Sequence, residues 1–218
     1  EYYLDRNVRG IRVCNQYMEN VRPEVVGNSQ KPGDDNKLCD RTIAEARLIR
    51  ALLHFDLVGW FGAVPIEDHT LTQQEAAEIT RTPAAEALQW IANECDSVKD
   101  VLPFRYANEA ENWGRVNGAA AYALKSRALL YLASPLNNPS GSTDLWQKAA
   151  DAALAFIAKN NASSNPYKLF TTEDNDPNQN YYKCFTSTPH LNPEYILSRS
   201  EYKTSNIERL SLPCGYTG

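Results

Sequence analysis

The chain has 218 residues, 43% of them hydrophobic and 22% charged, a globular composition that supports a substantial core and excludes disorder along its whole length. Its net charge of -5 and pI near 5.3, without a basic stripe interleaved with aromatics, argue against a nucleic-acid partner, because phosphate binding takes clustered Lys and Arg. No stretch reaches the ~18 consecutive apolar residues that a bilayer-spanning helix needs, and no charged segment followed by an apolar one opens the chain as a signal peptide would.

Helix periodicity recurs in five segments. The first runs from about Leu4 to Val21, with Val8, Ile11, Val13, Tyr17, Met18 and Val21 at its apolar positions. Residues 28–36, with Pro32, Gly33 and Asp34-Asp35, read as a solvated loop. The second helix spans about Arg41 to Phe61, opened by Thr42-Ile43-Ala44-Glu45 in the form of a capping box and stopped by Gly62. Val64-Pro65-Ile66 then leaves in extended form. The third begins at Thr82-Pro83, an N-cap and first-turn pair, and ends at Leu102-Pro103.

The fourth and fifth form a predicted hairpin. Gly114 to Ala133 is rich in alanine, which lets a neighbouring helix approach closely, and a Pro- and Asn-containing linker leads to a cap at Ser142 or Thr143. Leu145, Trp146, Ala149, Ala150, Ala153, Phe156 and Ile157 mark the inward face of the helix that follows. This pair is similar to one tetratricopeptide unit. From Ala162 to Pro193 the periodicity fades, and Tyr195 to Ser198 reads as a short strand. The fold expected is therefore mainly all-α, with antiparallel helix pairs, long irregular loops and minor β. A helical core covers residues 1–160, and residues 161–218 form a loop-rich segment of the same domain. The abrupt opening at Glu1-Tyr2-Tyr3 and the close after Leu212-Pro213 read as an internal stretch of a longer protein.

Chemistry is sparse. The five cysteines, Cys14, Cys39, Cys95, Cys184 and Cys214, show no zinc-like spacing and read as free, mostly buried thiols. There is no H-E-x-x-H, G-x-S-x-G or P-loop. His54 lies within the apolar second helix and reads as a hydrogen-bonded structural histidine. Asp174-Asn175-Asp176 resembles the opening of a calcium loop, but Gln179 and Phe185 stand where glycine and a bidentate glutamate belong, so a structural turn is expected. No catalytic residue, metal site or cofactor is predicted.

Aromatic content remains: twelve Tyr, four Trp and six Phe. An exposed ring can stack on the C–H face of a sugar while Asn, Asp and Arg bond its hydroxyls. Trp60, Trp90 and Trp146 fall on helices and read as core; Tyr106, Trp113, Tyr181, Tyr182, Tyr202 and Tyr216 fall in predicted loops.

Several blocks resemble the SusD-like (RagB/SusD) family. They are Tyr3 with Arg9-Gly10-Ile11-Arg12 and Asn15; Ala44-Glu45-Ala46-Arg47-Leu48-Ile49-Arg50-Ala51 with Phe61-Gly62-Ala63-Val64-Pro65; Gly114-Arg115-Val116-Asn117-Gly118 leading to Arg127; Tyr167-Lys168-Leu169; and Asn192-Pro193-Glu194-Tyr195. The resemblance implies a tetratricopeptide-like scaffold, lipid-anchored at the cell surface, that binds an oligosaccharide and delivers it to a SusC-like TonB-dependent outer-membrane transporter, without catalysis. It implies membrane contact only through an anchor outside this stretch. Cys14, inside a helix, is not the lipidation site. Members are usually more than twice this length. Arg47, Arg50 and Arg115 belong to scaffold blocks and are expected to pack or pair helices. The expected ligand contacts are Tyr3, Tyr202 and Tyr216, followed by Trp113. The alternative reading is a helical-repeat scaffold that binds peptide or protein in a groove.

Overall fold

The structure is a computed structural model that describes residues 2–22, 38–186 and 191–198. Its helices are α1 (Tyr2–Asn20), α2 (Leu38–Phe61), α3 (Gln73–Glu78), α4 (Ala84–Val98), α5 (Gly118–Ala133), α6 (Thr143–Asn161) and α7 (Pro177–Thr186). Among the described residues the β content is one antiparallel bridge, Val64 with Thr82. The fold is mainly α, as expected.

Helices α1, α2, α4, α5 and α6 form an array in which each packs on the next. Contacts give the directions. Asn7 donates to Asp56 at 2.6 Å and Arg50 to Asn15 at 2.8 Å, so α1 and α2 are antiparallel. Arg47 reaches Glu94 at 2.6 Å and His54 lies 4.9 Å from Trp90, so α4 reverses again. Lys125 meets Asp96 at 2.7 Å and Tyr122 donates to Asp100 at 3.1 Å, turning α5 back along α4. In the α5–α6 linker, buried Asn138 donates to the carbonyls of Ala133 and Ser142 and accepts from the Ser142 amide at 2.9 Å. The predicted hairpin is present. Ala121, Ala128, Ala133, Ala149 and Ala152 are buried in the shared core with Ile11, Leu48, Leu88, Ile91 and Leu124.

Polar groups inside the array hold the segment that leaves α2. Buried Asn15 donates to the carbonyls of Glu67 and His69, Arg50 donates to the Asp68 carbonyl, and His54 accepts from the Glu67 amide at 3.1 Å. His54 is fully buried, with Nδ1 2.9 Å from the Arg50 carbonyl; burial pushes its pKa down to about 4, so the neutral ring carries its proton on Nδ1. Arg47, Arg50 and Arg115 all make ion pairs, the first two with Glu94 and the third with Glu45, as expected for scaffold residues.

Several local expectations give way to tertiary context. Helix α2 starts at Leu38, so Thr42 lies inside it and bonds back to the Cys39 carbonyl at 3.0 Å; the capping box occurs instead at Thr72 and Glu75, opening α3. Thr82 does not cap α4, because its backbone is committed to the bridge with Val64. Helix α5 opens at Gly118 rather than Gly114, with Asn117 accepting from the Ala120 amide at 2.8 Å. Helix α7 stands where irregular chain was expected. Its entry is the predicted Asn/Asp turn, with Asn175 at φ 50° and Asp176 accepting from the Asn178 amide. Tyr195 to Ser198 is not a strand, because its backbone meets side chains rather than a neighbouring strand. Trp60 is 63% exposed and Trp146 45% exposed, so neither is core: α6 packs on α5 through its alanines and leaves its tryptophan outside. Cys14, Cys39, Cys95 and Cys184 are free and buried as expected; Cys214 and the 28–36 loop lie outside the described residues.

Candidate functional site

The N-terminal end of α5 builds a concavity. Asn117 caps the helix with its carbonyl oxygen, which leaves its amide to donate to the Tyr167 hydroxyl at 3.2 Å and to the Ile196 carbonyl at 3.1 Å. One side chain thus joins the α4–α5 loop to two later segments. Tyr167 is itself held from both sides by Asn160, which accepts from its amide at 2.7 Å and donates to its carbonyl at 2.9 Å. Lys168 donates to the Pro193 carbonyl, and the Glu194 carboxylate accepts from the Phe170 amide. Asn192, 1% exposed, donates to the Cys184 carbonyl at 2.7 Å and so hangs this wall on α7.

Between these parts lies a narrow, open cleft with about 20 Å³ of free volume, lined by Tyr106, Trp113, Arg115, Tyr167 and Tyr195 among others. Trp113 and Tyr195 flank one another, ring centroids 6.3 Å apart and planes tilted by 39°. Polar groups surround the pair: Glu109, Asn112, Arg115 and Ser198. Below them the Tyr106 hydroxyl lies 3.0 Å from Glu45 and 3.1 Å from the Val116 carbonyl, and burial together with the Glu45 carboxylate pushes its pKa up. Burial also raises Tyr167 to about 12. Both phenols therefore keep their protons at neutral pH. The Arg105 guanidinium sits 4.3 Å above the Tyr167 ring and pairs with Glu109, which fixes the outer lip. Apolar ring surface beside hydrogen-bonding side chains is an arrangement that can hold a polar ligand bearing an apolar face.

Of the expected contacts, Trp113 lies in this cleft. Tyr3 does not: it stacks on Trp60 at the far end of the α1–α2 pair, centroids 5.2 Å apart and planes 24° apart, with the two rings 48% and 63% exposed. Tyr202 and Tyr216 lie outside the described residues. Tyr106 lies in the loop between α4 and α5 as expected but is buried, whereas Tyr181 and Tyr182 sit exposed on α7 rather than in a loop. The sequence did not single out Tyr195 or Asn117 as site residues. Tyr195 lies 82 positions beyond Trp113, too far for any local pattern to pair them, and Asn117 stood out only as part of the Gly114–Gly118 scaffold block. Among the described residues no group of His, Cys, Asp or Glu is placed to hold a metal ion.

A family model, SusD-like, described as starch-binding associating with outer membrane, matches residues 5–132. The chain belongs to the SusD-like family. Solved structures agree with this SusD-like assignment. A SusD-like protein from Bacteroides fragilis superposes with a TM-score of 0.67 at 22% identity, over 94% of this chain and 34% of its own. A SusD-like carbohydrate binding protein from the same species gives 0.57 at 27% identity, over 77% and 29%. Surface glycan-binding protein A from Bacteroides uniformis gives 0.55 at 21%, over 79% and 33%. The chain thus spans about a third of the length of these structures. No curated protein matches it. Among the described residues no helix of this SusD-like chain is long and apolar enough to cross a membrane.

Proposed function

We propose that this SusD-like chain contributes to non-catalytic capture of an oligosaccharide at the cell surface, with the Trp113–Tyr195 cleft as its contact, and that the captured glycan passes to a SusC-like TonB-dependent transporter. The observation that carries this reading is the pairing of two aromatic rings inside a polar-lined cleft. The family description and the carbohydrate-binding relatives support the ligand class. A lipid anchor outside this stretch would keep the protein at the outer membrane. A binding rather than hydrolytic role fits the engagement of Glu109 in the cleft lining and of Glu45 beneath it: Glu45 by Arg115 at 3.2 Å and by Tyr106, Glu109 by Arg105 at 2.8 Å. Tyr3 with Trp60 is a second, exposed aromatic surface, and Tyr202 and Tyr216 extend the proposal beyond the described residues.

A glycan array tests the reading. The protein is expected to bind a defined oligosaccharide class saturably, and Trp113→Ala to weaken that binding at least tenfold, about 1.4 kcal/mol. Array-wide absence of binding, or a Trp113→Ala variant that binds undiminished, would refute the cleft as the site.

A further inference from the structure

A second concavity lies away from the aromatic cleft. Helices α4 and α6 both pack on α5, and the groove between them holds about 290 Å³ of free volume lined by Gln89 and Asp96 of α4, Lys125 and Leu129 of α5, and Lys148, Asp151, Ala152 and Ala155 of α6. The small side chains of Ala152 and Ala155 keep it open, and buried Leu129 and Ala152 give it an apolar floor. Each wall runs from its first to its last lining residue over about 10 Å at ~1.5 Å of rise per residue, the length of about three residues of extended chain at ~3.3 Å each.

The charges in this groove fall into two groups. Asp96 is satisfied inside the protein, by Lys125 at 2.7 Å and by Lys99. On α6, Lys148 makes no ion pair among the described residues, and the Asp151 carboxylate accepts only from the Gln147 amide at 2.8 Å. One cation and one anion, a single helical turn apart, therefore face the groove without a charged partner. None of the lining residues is aromatic, so the groove has no platform for a sugar face, and a neutral glycan would leave both charges uncompensated. An extended peptide matches these groups: backbone N–H for the Gln89 carbonyl oxygen, whose amide nitrogen already donates to Asn93 at 2.9 Å, small side chains for the apolar floor, and one acidic and one basic side chain for Lys148 and Asp151. We infer that the groove between α4 and α6 docks an extended, mixed-charge peptide segment of a protein partner.

The test titrates fluorescent octapeptides of Ala and Ser carrying one Glu and one Lys at separations of two to four residues, with the uncharged parent peptide for comparison. At least one mixed-charge spacing is expected to saturate, while the parent does not. Lys148→Glu and Asp151→Lys are each expected to weaken binding at least fivefold, and added salt to weaken it further. Both side chains are exposed, and circular dichroism checks that the variants stay folded. The double exchange Lys148→Asp with Asp151→Lys is expected to favour the opposite order of charges in the peptide. Trp113→Ala leaves this binding unchanged, which keeps the test independent of the glycan reading. Failure of every peptide to saturate, indifference to the charge reversals, or displacement of the peptide by an oligosaccharide would overturn the inference.

Discussion

Arg50, Glu94 and Asn15 show most clearly how single residues serve this scaffold. Arg50 is 5% exposed and bonds Asn15, Glu94 and the Asp68 carbonyl, so one guanidinium ties α1, α2, α4 and the segment after α2 together. Burial alone would raise the Glu94 pKa, but hydrogen bonds from Arg47 and Arg50 outweigh it and hold the carboxyl below its usual range. Removing the anion leaves two guanidinium groups uncompensated. Glu94→Ala is therefore expected to cost about 3–5 kcal/mol in urea unfolding, and an unchanged midpoint would contradict the network's role. His54 sets a pH dependence. Its pKa lies near 4 in the fold against 6.5 ordinarily, so its contribution is complete above pH 6.5 and is lost as pH falls from there toward 4. It amounts to at most about 3 kcal/mol. Glu94, also depressed, adds a further loss of stability below about 4.5. The His54 contribution is expected to be nearly constant from pH 7 to 6.5 and to fall below that, and the difference in stability between the wild type and His54→Asn, measured against pH, to shrink over the same range.

At the scale of elements, the sequence was legible wherever a helix buries one face over several turns, and less so where an element's ends are fixed by something distant. The alanine-rich hairpin and its capped linker were readable because small residues recur at helical spacing. The start of α2 was not, since Glu45 is drawn sideways to Arg115 and Tyr106 rather than back to an N-cap. Helix α7 escaped because its Asn-rich opening has the composition of a loop; only the Asn175 and Asp176 turn converts it into a helix start. Gly118 marks the tightest junction. A Cβ there would lie 2.6 Å from the Lys99 carbonyl and 3.0 Å from that of Leu102, both backbone atoms. Gly118→Ala is expected to destabilise by about 1–3 kcal/mol, whereas Gly10→Ala, which meets only the flexible tip of Leu53, costs less. Thermal unfolding of the two variants checks the order, and equal losses would show that the α4–α5 junction yields.

The whole molecule separates its surfaces. The cleft stands at the start of α5, the Tyr3–Trp60 pair at the end of α2, and the charged groove along α4 and α6. Scaffold motifs carry the family resemblance and were readable as a block, and in this chain their Arg47, Arg50 and Arg115 pair within the helix array. The cleft was only half readable. Trp113 announced itself as a loop aromatic, but Tyr195 is brought to it by the bonds of Asn117 to Tyr167 and Ile196, which span 50 and 79 positions and leave no local pattern. The most direct test of the cleft uses the four indole N–H signals of the protein in an NMR titration with the strongest glycan from the array. The account predicts that the Trp113 signal shifts saturably while those of Trp60 and Trp146 stay in place. A saturable shift of Trp60 with Trp113 unmoved would contradict it and place the sugar on the Tyr3–Trp60 surface instead.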